Sequence, residues 1–458
     1  MIKVGKVSDT FVYFVNKGKH PKNIEKMLKK IKFKAEELNT DVFRQGNKKY
    51  IFIGIGDKKG DILRRAIAKA LSIESKITYI PNDLDIEEQI RLVVEGAVLY
   101  SLKFDEFKAK KDKKRYKLGL MIDKKFKGLI NKVRIIAESQ NYARKLANLP
   151  PNIGTPEYLV KEAKELANKL GLSIKIFDKK ALKRRGMDAI SSVNAGSDKG
   201  AYIVHLTYKP KKVRLKVAVA GKGITFDAGG LDVKPAKYMF NMHLDKSGAC
   251  VALGIIRAVA LLKMPIELHA VVGLTENVIG SKAYKPNSII KAYNGKTIEI
   301  LHTDAEGRLV LADVLSYISK DIKPDYTFDF ATLTGAMSIS LGKYGIGAFS
   351  NEQCLSELAK KIGEKTGEKA WPFPMWDEYN EMLKSEFADV KNIGSWSGDA
   401  GSITAAKFLE HFVKGKWLHL DIASMMVAEN HPYFRTGPIA PGVRLLVNML
   451  EVLVNGCR

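Results

Sequence analysis

Short apolar runs alternate with amphipathic stretches along the whole chain. TFVYFV (Thr10 to Val15) and YIFIGIG (Tyr50 to Gly56) read as strands, and the apolar period of DILRRAIAKALSI (Asp61 to Ile73) predicts a helix. Around residue 150 the texture changes. ANLPPNIGTPEYL (Ala147 to Leu159) has the prolines and glycine of a connector, and Thr155 followed by Pro156 is a helix start that Gly171 is placed to end. Beyond it KVAVAGKG (Lys216 to Gly223), ELHAVVGL (Glu267 to Leu274), TIEIL (Thr297 to Leu301) and YTFDFATL (Tyr326 to Leu333) are continuous apolar or β-branched runs. Strands of that kind are buried on both faces, with helices between them.

The pattern predicts an α/β protein of two domains, each a mostly parallel or mixed sheet flanked by helices, the larger one C-terminal. The expected division is residues 1–130 as a basic N-terminal α/β domain, 131–155 as a connecting helix and linker, and 156–458 as the larger C-terminal domain. A length of 458 residues suits two cores better than one. No run approaches the ~18–20 apolar residues of a membrane span, and no signal-peptide pattern follows Met1. A cytoplasmic protein without membrane partners is therefore expected. Cys250, Cys354 and Cys457 are widely spaced and read as buried thiols rather than a disulfide or zinc framework.

Charge adds one alternative. The formal net charge is +26, of which residues 1–150 hold +17. The densest run is KAKKDKKRYK, Lys108 to Lys117. It admits a second role for the basic domain, nucleic-acid or anionic-surface binding. Tyr116 is its one aromatic, which lacks the interleaving a single-strand binder uses, so a solvated face is the preferred reading. GIGDKKG (Gly54 to Gly60) has the wrong spacing for a dinucleotide loop.

Candidate chemistry concentrates in HTDAEGRLVLAD, His302 to Asp313. Read as extended backbone, it points Asp304, Glu306 and Arg308 to one face, and Gly307 argues against helix there. Upstream, GKGITFDAGG supplies Lys222 and Asp227 at another strand end; Lys234 follows, then Asp245 in MHLDKSGA. Asp227, Asp245, Asp304 and Glu306 brought together unpaired would repel strongly. Two divalent cations would cancel four negative charges, which makes a dinuclear metal site the economical expectation.

These residues, with ATLTGA, NLPPNIGTPEYL, ENVIGSKAYKPNSII, GSITAAKFL and WLHLDIAS, resemble the leucyl aminopeptidase family, the hexameric dimetal M17 peptidases, from about Ala143 onward. The resemblance implies a metal-dependent exopeptidase that removes Leu and other apolar N-terminal residues from peptides. It implies two divalent ions per subunit, Mn²⁺ or Zn²⁺, with Mg²⁺ or Co²⁺ also compatible, and a homohexamer. Lys222, Asp227, Asp245 and Glu306 would hold the more exchangeable ion; Asp227, Asp304 and Glu306 would hold the tighter one. Lys234 would polarise the scissile carbonyl and Arg308 would hold a bicarbonate acting as general base. Thr332, Leu333 and Gly335 would line the substrate cleft and Met242 the first side-chain pocket.

The chain departs from the family pattern at Ala228, Ser247 and His302, where serine, glycine and asparagine are usual. None is in the implied ligand set, and His302 borders the expected substrate pocket. His243 is not expected to ligate, and Lys246 is expected to face solvent or to act as a supporting charge. A dimetal phosphoesterase is disfavoured because such sites normally include histidine ligands.

Overall fold

The computed structural model describes residues 1–17, 22–57, 60–429 and 431–456. Cys457 and part of the loop Gly54 to Gly60 lie outside the described residues. The chain divides into two compact units, 1–141 with 428–437 and 142–427 with 438–458. Among the described residues no helix is long and apolar enough to cross a membrane.

The first unit is built on a six-stranded sheet ordered Ile2–Val4, Lys117–Leu120, Lys76–Ile80, Thr10–Asn16, Lys48–Gly56, Thr40–Gln45. All neighbours are parallel except the last pair. Val12, Phe14, Ile51, Phe52 and Ile53 are buried, as continuous apolar runs require. The helix Asp61–Ile73 forms over the residues its period marks, and Ile62, Leu63, Ala66 and Ile67 are buried. Lys108 to Arg115 are exposed, whereas Tyr116 turns inward, its ring 5.6 Å from that of Tyr100. The basic run therefore offers solvent charge without an outward aromatic platform.

The second unit carries a mixed eight-stranded sheet. Its order is Ala370–Pro372, Ile346–Ser350, Lys416–Asp421, Tyr326–Ala331, Leu215–Asp227, Ile266–Asn277, Tyr202–Tyr208, Ser173–Phe177. The central four strands are parallel to one another. Chain order reverses at Leu215–Asp227, whose crossover leads to Ile266–Asn277 on one side while Tyr326–Ala331 pairs on the other. Strands that diverge in this way leave a crevice at their carboxyl ends, the usual place for a ligand. The helix Ser247–Leu261, buried except at Arg257, Ala260 and Leu261, and the fully buried helix Gly307–Tyr317 flank these strands. Helix Pro156–Leu170 starts where the sequence marks it: Thr155 Oγ1 accepts from the Tyr158 N–H at 3.3 Å, and Gly171 ends it at φ 66°.

Two local expectations fail. TIEIL does not join the main sheet. Only Thr297–Glu299 is a strand, paired antiparallel with Ile289–Lys291 and parallel with Val390–Lys391 in a separate three-stranded sheet. A buried apolar run shows that a segment is inside, and it leaves open which sheet takes it. The thiols are the second case: Cys250 is buried, its pKa pushed up to about 12 by that burial, but Cys354 is exposed.

Candidate active site

The long central strand supplies the first two groups. Lys222 lies within it and Asp227 is its last residue. The chain then turns through Gly229 (φ 91°) and Gly230 (φ 68°), conformations that side chains with a Cβ rarely adopt. Lys234 follows and folds back: its Nζ stands 2.9 Å from Asp227 Oδ2 and also contacts Asp304. Asp245 sits in the 3₁₀ turn Met242–Lys246 that leads into helix Ser247–Leu261.

The stretch from Thr303 to Arg308 is not extended. A turn at Thr303 and Asp304 leads to Glu306, which has helical φ and ψ, and Gly307 begins the helix. Gly307 is there for space rather than for helix breaking. A Cβ on it would lie 2.6 Å from Lys222 Nζ and 2.7 Å from its Cδ. The glycine lets the lysine run alongside the helix start, and the side chains of Glu306 and Lys222 meet.

The result is a buried cluster. Lys222 Nζ is 2.8 Å from Asp245 Oδ2 and 2.9 Å from Glu306 Oε1. Oxygens of Asp227, Asp245 and Glu306 all lie within 4.8 Å of one another. Lys234 links the fourth carboxylate, Asp304, to this group. Counted as ionised, four carboxylates and two ammoniums leave two negative charges unbalanced in a site from which water is largely excluded. Glu306 Oε2 is buried without a hydrogen-bond partner. A carboxylate oxygen in that condition is costly unless a cation or proton satisfies it.

Protonation follows the same balance. Burial raises the Asp227 and Asp245 pKa values, with Glu306 repelling the first and Asp227 the second. Asp304 is pushed up to about 7 by burial and by Asp227 and Glu306. Burial opposes ionisation of Glu306 too, but Lys222 and Lys234 outweigh it and hold its pKa below the usual value. Burial pulls the pKa of Lys222 down, and Asp245, Glu306 and Asp227 together more than reverse that, so it stays a cation here.

Of the supporting groups, Asn277 and Asn392 are ones that motif reading did not single out. Asn277 Nδ2 donates to Asp227 Oδ1 at 2.9 Å and to the Thr303 carbonyl at 3.1 Å, joining two carboxylate-bearing segments. Thr332, expected in the cleft lining, donates through Oγ1 to Asp245 Oδ1 at 2.7 Å, and its carbonyl accepts from Lys222 Nζ at 2.9 Å. The Asn392 side chain accepts from the Leu301 N–H at 2.8 Å and donates to the His302 carbonyl at 2.7 Å. The Asn392 backbone carbonyl accepts from Arg308 Nη1 at 2.6 Å. Asn277 lies in one of the quoted motifs; Asn392 carries no local signal, because its role depends on a strand brought in from about 90 residues away.

The remaining candidates are placed as follows. Arg308 is buried, its Nε has no partner, and burial lowers its pKa to about 10. The Leu333 N–H donates to Asp421 Oδ1 at 3.2 Å, and Gly335 precedes the helix Ala336–Leu341. Met242 opens the turn that carries Asp245. His302 Nδ1 accepts from the Asp304 N–H at 3.1 Å, and its ring lies 5.9 Å from that of Trp396. Lys246 is a correction to the solvent-facing alternative: it is fully buried and donates to the Leu149 carbonyl at 3.0 Å and to the His243 carbonyl. Burial lowers its pKa to about 8 and that of His243 to about 4.

A sequence profile described as "Cytosol aminopeptidase family, catalytic domain" matches residues 141–447, which contain every group of this cluster. The chain belongs to the cytosol aminopeptidase family. A probable cytosol aminopeptidase of Aquifex aeolicus (strain VF5) is 44% identical over 86% of this chain and 82% of the relative. One from Sulfurihydrogenibium sp. (strain YO3AOP1) is 39% identical over 87% of this chain and 84% of the relative. The bottromycin maturation enzyme BotP, solved in complex with Mn, superposes with a TM-score of 0.89 at 27% identity, covering 98% of this chain and all of that one. Membership makes the protein a metal-dependent aminopeptidase acting on peptides.

Proposed function

We propose that this aminopeptidase removes leucine and other apolar residues from peptide N-termini with two divalent cations per subunit. The observation that carries the reading is the buried trio Asp227, Asp245 and Glu306, with Glu306 Oε2 unpartnered and Asp304 joined to it through Lys234. It fits hard divalent cations, which oxygen ligands favour. Asp227, Asp245, Glu306 and Lys222 would hold one ion, and Asp227, Asp304 and Glu306 the other. The oxygen-rich set and the manganese in BotP favour Mn²⁺, with Zn²⁺, Mg²⁺ or Co²⁺ also able to bind. Bound ions would supply Lewis acidity and a water of lowered pKa.

The two lysines differ in exposure, and that separates their roles. The Lys222 side chain is 3% exposed and is locked between Asp245 and Glu306; to ligate, it must give up its proton. Lys234 is 14% exposed and lies on the open side. From there its ammonium can reach a substrate carbonyl and stabilise the negative charge that develops on the oxygen. Arg308 cannot take a proton, but its planar fork suits a bicarbonate, the general base in this reading. Thr332 and Asn277 hold the Asp245 and Asp227 carboxylates in place. Met242, His302, Leu333 and Gly335 shape the cleft alongside.

Catalysis is assigned to residues 156–458, with 131–155 as the connection and 1–130 as a separate basic domain. A cytoplasmic homohexamer belongs to the same reading, as the name and assembly of the family suggest. The test is hydrolysis of Leu-p-nitroanilide with added Mn²⁺, Zn²⁺, Mg²⁺ or Co²⁺. Release faster than from Lys- or Glu-p-nitroanilide, lost on Glu306→Gln, is the expected result. No turnover with any metal across several dipeptides would overturn it.

A further inference from the structure

At the amino ends of the central strands, remote from the ligand-bearing carboxyl ends, lies a cavity of about 720 Å³. Its walls come from the segments that precede Tyr326–Ala331 and Lys416–Asp421, and from the turn before Thr297–Glu299. Lys296, Lys320, Lys323 and Lys414 line it, and no carboxylate does. The Lys320 ammonium stands 4.6 Å over the Tyr293 ring, and Lys296 Nζ is 3.4 Å from His411 Nδ1. His411 is kept neutral there: burial first, then Lys296 and Lys407, lower its pKa to about 4. The carboxylates with influence lie outside the lining. Asp389 acts on Lys296 and His411 from a distance, and Asp321 faces Arg185 at 3.8 Å.

Two further features distinguish this cavity from an ordinary solvated lysine patch. Ser316, 1% exposed, belongs to the lining, and its hydroxyl has no hydrogen-bond partner. Unpaired buried hydroxyls are uncommon and call for a partner. The lining is also mixed: Phe412, Val413 and Pro324 form an apolar wall beside the ammoniums. Lys296 is half-buried and Lys320, Lys323 and Lys414 are exposed at the rim, a one-sign set that favours an anion in the concavity, and the volume lies within the range of small-molecule sites.

We propose that this cavity binds a small phosphorylated molecule, with its di- or triphosphate on the lysines and an apolar or aromatic body against Phe412 and Val413. The ligand chemistry is shared by a nucleoside phosphate and by free pyrophosphate. The apolar wall favours the nucleotide. This site is separate from the peptidase centre, and nothing in it depends on the peptidase reading.

The test is isothermal titration calorimetry of the full-length, Mn²⁺-supplemented protein with ADP, pyrophosphate and adenosine. The same titrations are run on Lys320→Ala/Lys414→Ala and on Lys320→Arg/Lys414→Arg. Comparison with these variants separates the cavity from anion capture at the metal centre, which both leave intact. ADP should bind at least tenfold tighter to wild type than to the double alanine variant, since each lost charge-assisted contact is worth that much. The arginine pair should retain most of the affinity, adenosine should not bind, and Leu-p-nitroanilide hydrolysis should be unchanged. Pyrophosphate binding as tightly as ADP would uphold the anion site and assign the free anion to it. Equal affinity in wild type and the alanine variant, adenosine binding as well as ADP, or no binding of either anion at millimolar concentration would overturn the proposal.

Discussion

Gly307→Ala separates catalytic geometry from fold stability. The added Cβ would lie 2.6 Å from Lys222 Nζ and 2.7 Å from Cδ, against about 3.5 Å for an ordinary contact. The lysine end must therefore move by roughly 1 Å. That end is a flexible chain, so the steric cost to the fold is modest, and alanine recovers about 0.5–1 kcal/mol of the glycine penalty in a helix. Stability should change by less than about 1.5 kcal/mol, the upper range for tolerated core changes. Function should not escape. Lys222 is fixed by Asp245 at 2.8 Å and Glu306 at 2.9 Å, so a 1 Å shift breaks one of the two contacts. A misplacement of that size costs on the order of 10²-fold in rate. The assay pairs urea unfolding with kcat/KM for Leu-p-nitroanilide across a Mn²⁺ titration. A variant with near-native stability and a hundredfold loss agrees with the reasoning. Full activity would refute it, because it would mean that the position of Lys222 does not matter.

Three other substitutions probe the surroundings. Thr332→Val removes the 2.7 Å hydrogen bond to Asp245 without changing size; the Mn²⁺ concentration for half-maximal activity should rise about 10–100-fold, and an unmoved curve would count against the orienting role. His302→Asn should change the ratio of kcat/KM among aminoacyl-p-nitroanilides by about tenfold, the low end for altered pocket contacts, whereas an equal fall for all substrates would show that the ring only holds the Asp304 loop. Asp313 is buried and accepts from the Ile190 and Tyr293 N–H groups, and burial raises its pKa to about 7. A raised carboxyl pKa gives stability that is complete below about 4 and is lost as pH rises through 7. Asp313→Asn should therefore be more destabilising at pH 5 than at pH 8 in urea unfolding, and an equal penalty at both would contradict the assignment.

The elements that were legible in the sequence are those whose signal is local. Helix Pro156–Leu170 carries its own start and stop in Thr155, Pro156 and Gly171, and the central strands are mostly apolar because helices cover both faces. Every carboxylate in the candidate cluster, and Lys222, sits in a dense motif; Lys234 follows one of them. Relations set by chain parts far apart were not legible. The extended reading of Asp304 to Arg308 failed because Gly307 was judged by its helix propensity, while its neighbour, Lys222, decides the residue there. Thr297–Glu299 went to the wrong sheet because apolar content does not name a pairing partner. Charge alone leaves Lys246 between solvent and a supporting role; two backbone carbonyls satisfy it inside.

The central claim is that these four carboxylates and Lys222 hold two cations. Anomalous diffraction from crystals grown with Mn²⁺, at wavelengths either side of the manganese edge, tests it most directly. Two peaks per subunit are predicted, both within coordinating distance of Asp227 and Glu306, with Asp245 and Lys222 on one and Asp304 on the other. A single peak, or peaks elsewhere while Lys222 stays between Asp245 and Glu306 in an enzyme that is active in the crystal, would contradict the account.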